Sequence, residues 1–220
     1  MMVIHGFPPV ECADRDGLIA IGGDLEVNSL LLAYSSGIFP WPISPHMPIP
    51  WFAPPVRSVL FFKDLHISHS LKKILRKCPF HFTLDRDFQA VITNCAKTDN
   101  RKGQHSTWIT DQIIKAYIDL HRAGYAHSLE CRALDGQLVG GIYGVSIGGM
   151  FAGESMFCLQ SSASKCALVK LIEILSKRGA TWIDCQVENS LSLSFGAKSI
   201  PRADFQRLLA STLPKSPLFP

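Results

Sequence analysis

Apolar positions recur at helical spacing through the middle of the chain. Leu71, Ile74 and Leu75 do so beside several lysines; Phe88, Val91, Ile92 and Cys95 form a second stripe; Ile113, Ile114, Tyr117 and Leu120 form a third, with Gly124 placed to stop it. Between the second and third, residues 98–106 are polar and predict an exposed connection. The period then shortens. Residues 127–133 have β character, 134–137 (Leu-Asp-Gly-Gln) supply turn chemistry, and 138–145 predict a second strand. Gly148-Gly149 marks another turn before a strand over 150–157. A helix is predicted over 163–177, burying Ala167, Leu168, Leu171, Ile174 and Leu175; Gly179 ends it, and 181–187 returns as a strand. The succession predicts an α/β or α+β fold with a mainly antiparallel sheet and leaves its topology open.

The amino-terminal quarter is patterned differently. Ser29 to Tyr34 predicts a short helix ending near Gly37. From Phe39 to Pro55 there are seven prolines, too many for a continuous helix or a central strand, because proline lacks an amide donor and clashes with regular geometry. Phe39, Trp41, Trp51 and Phe52 interrupt this stretch and can anchor it to a core. A boundary near residues 54 to 60 follows, dividing the chain into a small module at 1–56 and a larger domain at 57–220.

Composition narrows the class. A chain of 220 residues, 47% apolar and 18% charged, buries a substantial core and is not a disordered segment. The net charge of +4 is too modest to single out nucleic acid, but Arg57, Lys63, Lys72, Lys73, Arg76 and Lys77 lie close together with Asp64 as the sole acid between them. That run suits phosphate contacts and suits a solvated helix face at least as well. Seven cysteines form no CxxC pair, and with no signal-like amino terminus they favour reduced thiols in a cytoplasm; no apolar run is long enough to predict a membrane span.

Candidate chemistry concentrates on two predicted strands. In 151–157 (FAGESMF), strict alternation puts Ala152, Glu154 and Met156 on one face and Phe151, Gly153, Ser155 and Phe157 on the other. An acid among apolar neighbours suits a pocket for a cationic group, and suits a solvated edge strand equally. In 182–187 (WIDCQV), Asp184 and Gln186 face one way and Cys185 the other, so the first two are a candidate polar pair or a structural hydrogen-bonding set. No spacing ties Cys185 to His81, His105 or His127 as a thiol nucleophile. His66 and His69 lack further ligands, so no metal is expected. Gly22-Gly23 and GGIYG at 140–144 lack nucleotide-binding signatures, and Ser155 lacks a nucleophile-elbow setting. Trp41, Trp51 and Trp108 are candidate stacking platforms for a base, or core anchors.

An ordered series of blocks spans nearly the whole chain: GLIAIGGDL at 17–25, GIFPW at 37–41, WFAPPVR at 51–57, STWIT at 106–110, GGIYG at 140–144, FAGESMF at 151–157, SASK at 162–165 and IDCQV at 183–187. On these blocks the chain resembles the leucyl/phenylalanyl-tRNA–protein transferases. The resemblance implies a small amino-terminal module followed by an acetyltransferase-like domain. It implies transfer of leucine or phenylalanine, with methionine a weaker donor, from aminoacyl-tRNA to proteins beginning with Lys or Arg, feeding the amino-terminal (N-end rule) degradation pathway. No cofactor is implied, acetyl-coenzyme A included, because the aminoacyl ester is already activated. The partners are then the aminoacyl-tRNA and the acceptor protein, with no membrane, and the chain is expected to act as a monomer.

The resemblance assigns Trp41 and Trp108 to the aminoacyl-adenosine end of the donor. It gives Asp184 the leading electrostatic or proton-relay role, Gln186 a positioning role, and Glu154 orientation of the incoming amino terminus. Met156, Leu168, Leu171 and Leu175 are candidates to line the donor side-chain pocket, and can equally be core. The chain departs from the family pattern at Phe52 and Ala53, at Leu159 and Ser162, and at Leu191 and Phe195, positions that bear on donor affinity and pocket shape.

Overall fold

A computed structural model describes residues 4–42, 44, 47–77, 79–97 and 107–219. Cys78, His105 and the polar stretch 98–106 lie outside them. Two sheets organise the chain. Strands β1 (Leu18–Ile21), β2 (Phe39–Pro40) and β3 (Pro50–Phe52) form a small antiparallel sheet in the order β1-β3-β2, with helix α1 (Val27–Ser35) between the first two strands. The proline-rich stretch therefore does supply a central strand, contrary to expectation. It does so because β3 is three residues long and its proline is the first of them, where a missing amide costs least.

The large sheet has seven strands in the order β10-β4-β9-β8-β7-β6-β5: β4 (Val56–Phe61), β5 (His81–Leu84), β6 (Ala126–Arg132), β7 (Leu138–Ile147), β8 (Met150–Cys158), β9 (Trp182–Gln186) and β10 (Lys198–Pro201). Every pairing is antiparallel apart from β8 with β9, which are joined by helix α5 (Ala163–Lys177). Thus the mixed, mainly antiparallel sheet and the small amino-terminal module are both present. The predicted helices appear as α2 (His69–Lys77), α3 (Phe88–Ala96) and α4 (Asp111–Arg122), and α6 (Ser190–Ser194) and α7 (Arg202–Thr212) complete the set. Asp87 and Thr110 start α3 and α4 by accepting the amides of Ala90 and Ile113.

Two cores cover the two faces of the sheet. The first joins Tyr34 of α1, Val91 and Ile92 of α3, Tyr117 of α4 and Phe205 of α7 to Tyr143, Ala152 and Trp182. The second joins Leu71 of α2 and Leu168, Leu171 and Leu175 of α5 to Ile142, Phe151 and Ile183. Because α1 and Trp51 belong to the first core, the small sheet and the large one share apolar packing. Residues 56–61, overlapping the stretch read as a boundary at 54 to 60, form the interior strand β4, lying between β10 and β9. Arg57 and Ser58 broke its apolar pattern, yet both are buried.

Candidate active site

The recorded pairing of the parallel strands β8 and β9 is a single position, Ala152 with Asp184. Beyond it the strands part, and a cavity of about 660 Å³ opens between their carboxyl ends. Glu154 and Gln186 each follow that last pair by two residues and meet across the split, Gln186 Nε2 donating to Glu154 Oε1 at 2.6 Å.

A bulge aims Glu154. Opposite β7, Tyr143 pairs with Ser155 and Gly144 with Gly153, so Glu154 is the extra residue. The strict alternation read from the sequence therefore fails. Phe151 lies in the second core and Phe157 in the first, while Ala152 lies in the first and Met156 packs against the second. One extra residue exchanges the faces and brings Gly153, Glu154, Ser155 and Met156 all to the cavity wall. Gly144 makes room for it, because a Cβ there would meet the Ala152 carbonyl and the Phe151 ring.

The same glutamate oxygen accepts Tyr34 Oη at 2.7 Å, and Tyr34 and Tyr117 hydroxyls lie 2.5 Å apart. Each phenol has one proton, so with that of Tyr34 given to Glu154, Tyr117 donates to Tyr34. Burial pushes the Glu154 carboxyl up to about 8; the Tyr34 hydrogen bond opposes that rise, the Asp184 carboxylate adds to it, and Arg57 and Gln186 oppose it. Burial, then the Glu154 charge, also holds both tyrosines well above their ordinary value, so they remain protonated donors.

Asp184 is placed otherwise than the sequence suggested. Its carboxylate turns away from the cavity and forms a two-point ion pair with Arg57, Nε to Oδ1 at 2.9 Å and Nη2 to Oδ2 at 2.7 Å, each side chain 2% exposed. The guanidinium lies between the Phe39 and Phe205 rings, 4.7 and 4.6 Å from their centroids, and also donates to the Gly37 carbonyl. Asp184 Oδ1 further accepts the Gln186 amide at 2.8 Å. Gln186 has φ of +58°, a left-handed conformation uncommon for a residue with a side chain. That turn ends the two-residue alternation, so Cys185 and Gln186 both reach the cavity and Asp184 does not. Burial, with Asp184 nearby, pushes the Cys185 thiol up to about 12, which leaves it a poor nucleophile.

Trp41, 39% exposed, and Trp108 stand on the cavity wall with Phe39, while Met156, Leu168 and Ile183 form its apolar part. Leu171 and Leu175, expected as possible lining, are core residues and do not reach the cavity: both are fully buried further along α5. Trp51 is likewise a core anchor, wholly buried with its indole N–H on the Gly22 carbonyl at 2.8 Å. The basic run divides, Arg57 going inside and Lys72, Lys73, Arg76 and Lys77 to the exposed side of α2. Sequence reasoning missed Arg57, Tyr34 and Tyr117. An arginine inside a strand-like run, VRSVLF, was the available signal for the first; the tyrosines looked like ordinary helix-stripe residues.

A parallel strand pair that splits to expose a hydrogen-bonded acid, above an apolar wall and beside two indoles, forms a cleft at the carboxyl ends of its strands, the place where open α/β sheets bind ligands. Comparison with known proteins sharpens this. Residues 59–210 match the family model for leucyl/phenylalanyl-tRNA protein transferase, and 23–55 match the model for its N-terminal domain. Proteins named leucyl/phenylalanyl-tRNA–protein transferase are similar at 49% identity in Syntrophobacter fumaroxidans (95% of this chain, 88% of that one) and 51% in Syntrophus aciditrophicus (94% and 85%). One from Flavobacterium johnsoniae is 48% identical over 93% of this chain and 95% of its own. The chain belongs to the leucyl/phenylalanyl-tRNA protein transferase family and is an enzyme of the transferase class. Among the described residues, no helix is long and apolar enough to cross a membrane.

Proposed function

We propose that the protein transfers leucine or phenylalanine, with methionine a weaker donor, from aminoacyl-tRNA to the amino terminus of proteins that begin with lysine or arginine. Family membership supports the donor and acceptor classes. The observation that carries the chemistry is the Glu154–Gln186 pair, 2.6 Å apart across the split strands beside an apolar wall.

In this reading Trp41 and Trp108 hold the adenosine end of the donor, and its side chain packs on Met156 and Leu168. The acceptor amine lies at Glu154 and Gln186. The Gln186 amide oxygen, which accepts no hydrogen bond from the described residues, receives one of its N–H groups. A carboxyl near 8 is well matched to an α-amine of roughly 7.7–8.0, so Glu154 takes the amine's proton at little cost. The neutral nitrogen then attacks the ester carbonyl. A C–N bond forms, the ester C–O bond breaks, the departing ribose oxygen takes up the proton from Glu154, and the regenerated carboxylate receives the surplus proton left on the new amide nitrogen. The ester supplies the activation, so neither ATP nor a cofactor enters, and orientation of the two substrates provides much of the rate.

Asp184 acts from behind the cavity. It fixes the strained Gln186 through its backbone amide and keeps Arg57 neutralised, which makes it a positioning residue and leaves Glu154 and Gln186 at the reacting atoms. The same reading takes residues 1–56 as the small module and 57–220 as an acetyltransferase-like domain, acting as a monomer in the cytoplasm on proteins bound for amino-terminal (N-end rule) degradation. A transfer assay pairing leucyl-tRNA with Lys-, Arg- and Ala-starting peptides tests it. Leucine is expected on the first two and not the third; equal labelling of all three, or labelling of none, would overturn the assignment.

A further inference from the structure

A second hollow, of about 350 Å³, lies beside the main cavity and is lined by Asp16, Phe39, Trp41, Phe52, Pro54 and Val187. Phe39, Trp41 and Val187 also line the main cavity, so the two adjoin across these side chains, and Val187 directly follows Gln186. The rings of Phe39, Trp41 and Phe52 lie 6.1, 6.2 and 6.4 Å apart, a triangle of aromatic surface. Asp16 is the sole charged residue among those lining the hollow.

The position of Asp16 is built by the local fold. Asp14 Oδ1 accepts the amides of Asp16 at 2.9 Å and Leu18 at 2.8 Å, which pins the turn. Gly17, at φ of +90°, accepts the Ala53 amide on its carbonyl at 2.7 Å, and a Cβ there would stand 2.6 Å from the Pro54 Cα. Glycine therefore permits the close approach that sets Asp16 against Pro54 and the aromatic triangle. The carboxylate's partner is its neighbour Arg15, at 3.6 Å with both side chains mostly in solvent, a contact readily exchanged for another cation. Arg57, stacked on Phe39 from within the core, is neutralised by Asp184 and does not oppose a cation here.

We propose that this hollow is the subsite for the cationic side chain of the acceptor's first residue, an inference that rests on the function proposed above. A long apolar stem carrying a positive head suits it. The stem passes Val187 and packs on the rings, and the head meets both the aromatic faces and the Asp16 carboxylate. A neutral polar head forfeits the charge, and an acidic one is repelled. Asp16 thereby becomes the residue that sets acceptor selectivity, apart from the Glu154–Gln186 pair that handles the amine.

The test compares kcat/KM for peptides beginning with arginine and with citrulline, its uncharged isostere, at saturating leucyl-tRNA. Asp16→Asn is expected to lower the Arg-to-citrulline ratio about two- to fivefold, the upper part of the range of an exposed ion pair. Asp16→Lys is expected to lower it by about tenfold or more through like-charge repulsion, with the KM for leucyl-tRNA within about twofold of wild type in both. Asp16 is exposed, and unchanged thermal unfolding checks that both variants fold. A ratio unchanged in both variants, or a loss confined to the KM for leucyl-tRNA, would overturn this subsite alone. No transfer by the wild-type protein to any peptide would overturn the parent reading and this one with it.

Discussion

Replacing Asp184 with asparagine removes one charge from a pair whose side chains are each 2% exposed. Asparagine keeps an oxygen for the Gln186 amide but presents NH₂ where Arg57 requires an acceptor. The guanidinium is then left charged between the Phe39 and Phe205 rings, with the retained amide oxygen and the Gly37 carbonyl as neutral acceptors in place of the carboxylate. Breaking one half of a buried pair costs about 3–5 kcal/mol. For a chain of 220 residues each kcal/mol moves the midpoint about 2–4 °C, so Asp184→Asn is expected to unfold about 6–20 °C below wild type. Urea titration gives the free energy, and scanning calorimetry the midpoint. Because the loss comes from an abandoned charge, removing both, as Arg57→Met with Asp184→Leu, should restore a large part of it. A loss under about 1 kcal/mol for the single variant, or a double variant no better than the sum of its parts, would refute the reasoning.

Glu154 predicts an opposite pH signature to an ordinary surface acid. Its carboxyl is raised from 4.5 to about 8 in the folded protein, so between those values the native state holds a proton that the unfolded chain has lost. Its contribution is most favourable below the unfolded value and is lost as pH rises through the folded one; Glu154→Gln should flatten that decline in urea titrations at about pH 5 and about pH 8. Gly144→Ala should cost about 2 kcal/mol or more in the same titration, since the added methyl meets the Ala152 carbonyl and the Phe151 ring that flank the bulge. Leu168 and Leu171 should separate cleanly: Leu168→Ala, on the cavity wall, is expected to alter the ratio of kcat/KM for leucyl and phenylalanyl donors, whereas Leu171→Ala, in the core, should cost about 2–5 kcal/mol of stability and leave that ratio near wild type.

Much of the secondary structure was legible because single-face burial leaves a period. α5 occupies 163–177 as its apolar spacing predicts, and the hairpins through β6, β7 and β8 follow their glycine turns. Legibility failed where tertiary contacts overrode the local pattern. β4 carries a buried arginine whose partner lies 127 residues away, so no local rule marks it as an interior strand. The bulge at Glu154 inverts side-chain parity in mid-strand, and the left-handed turn at Gln186 does the same at the end of β9. Strict alternation therefore named Glu154, Asp184 and Gln186 while misplacing how they face one another. Tyr34 and Tyr117, from helices 83 residues apart in sequence, become part of the site through the acid that both α1 and α4 pack beside.

We propose that aminoacyl transfer takes place where β8 and β9 part, with Glu154 as the proton-accepting group. Single-turnover transfer from saturating leucyl-tRNA to an Arg-starting peptide by Glu154→Gln, alongside the dissociation constant for leucyl-tRNA, tests it directly. A rate at least about a hundredfold below wild type is expected, the low end of what a positioned acid or base supplies, with donor affinity within about threefold. A rate within about twofold of wild type, or a loss wholly explained by weaker donor binding, would contradict it.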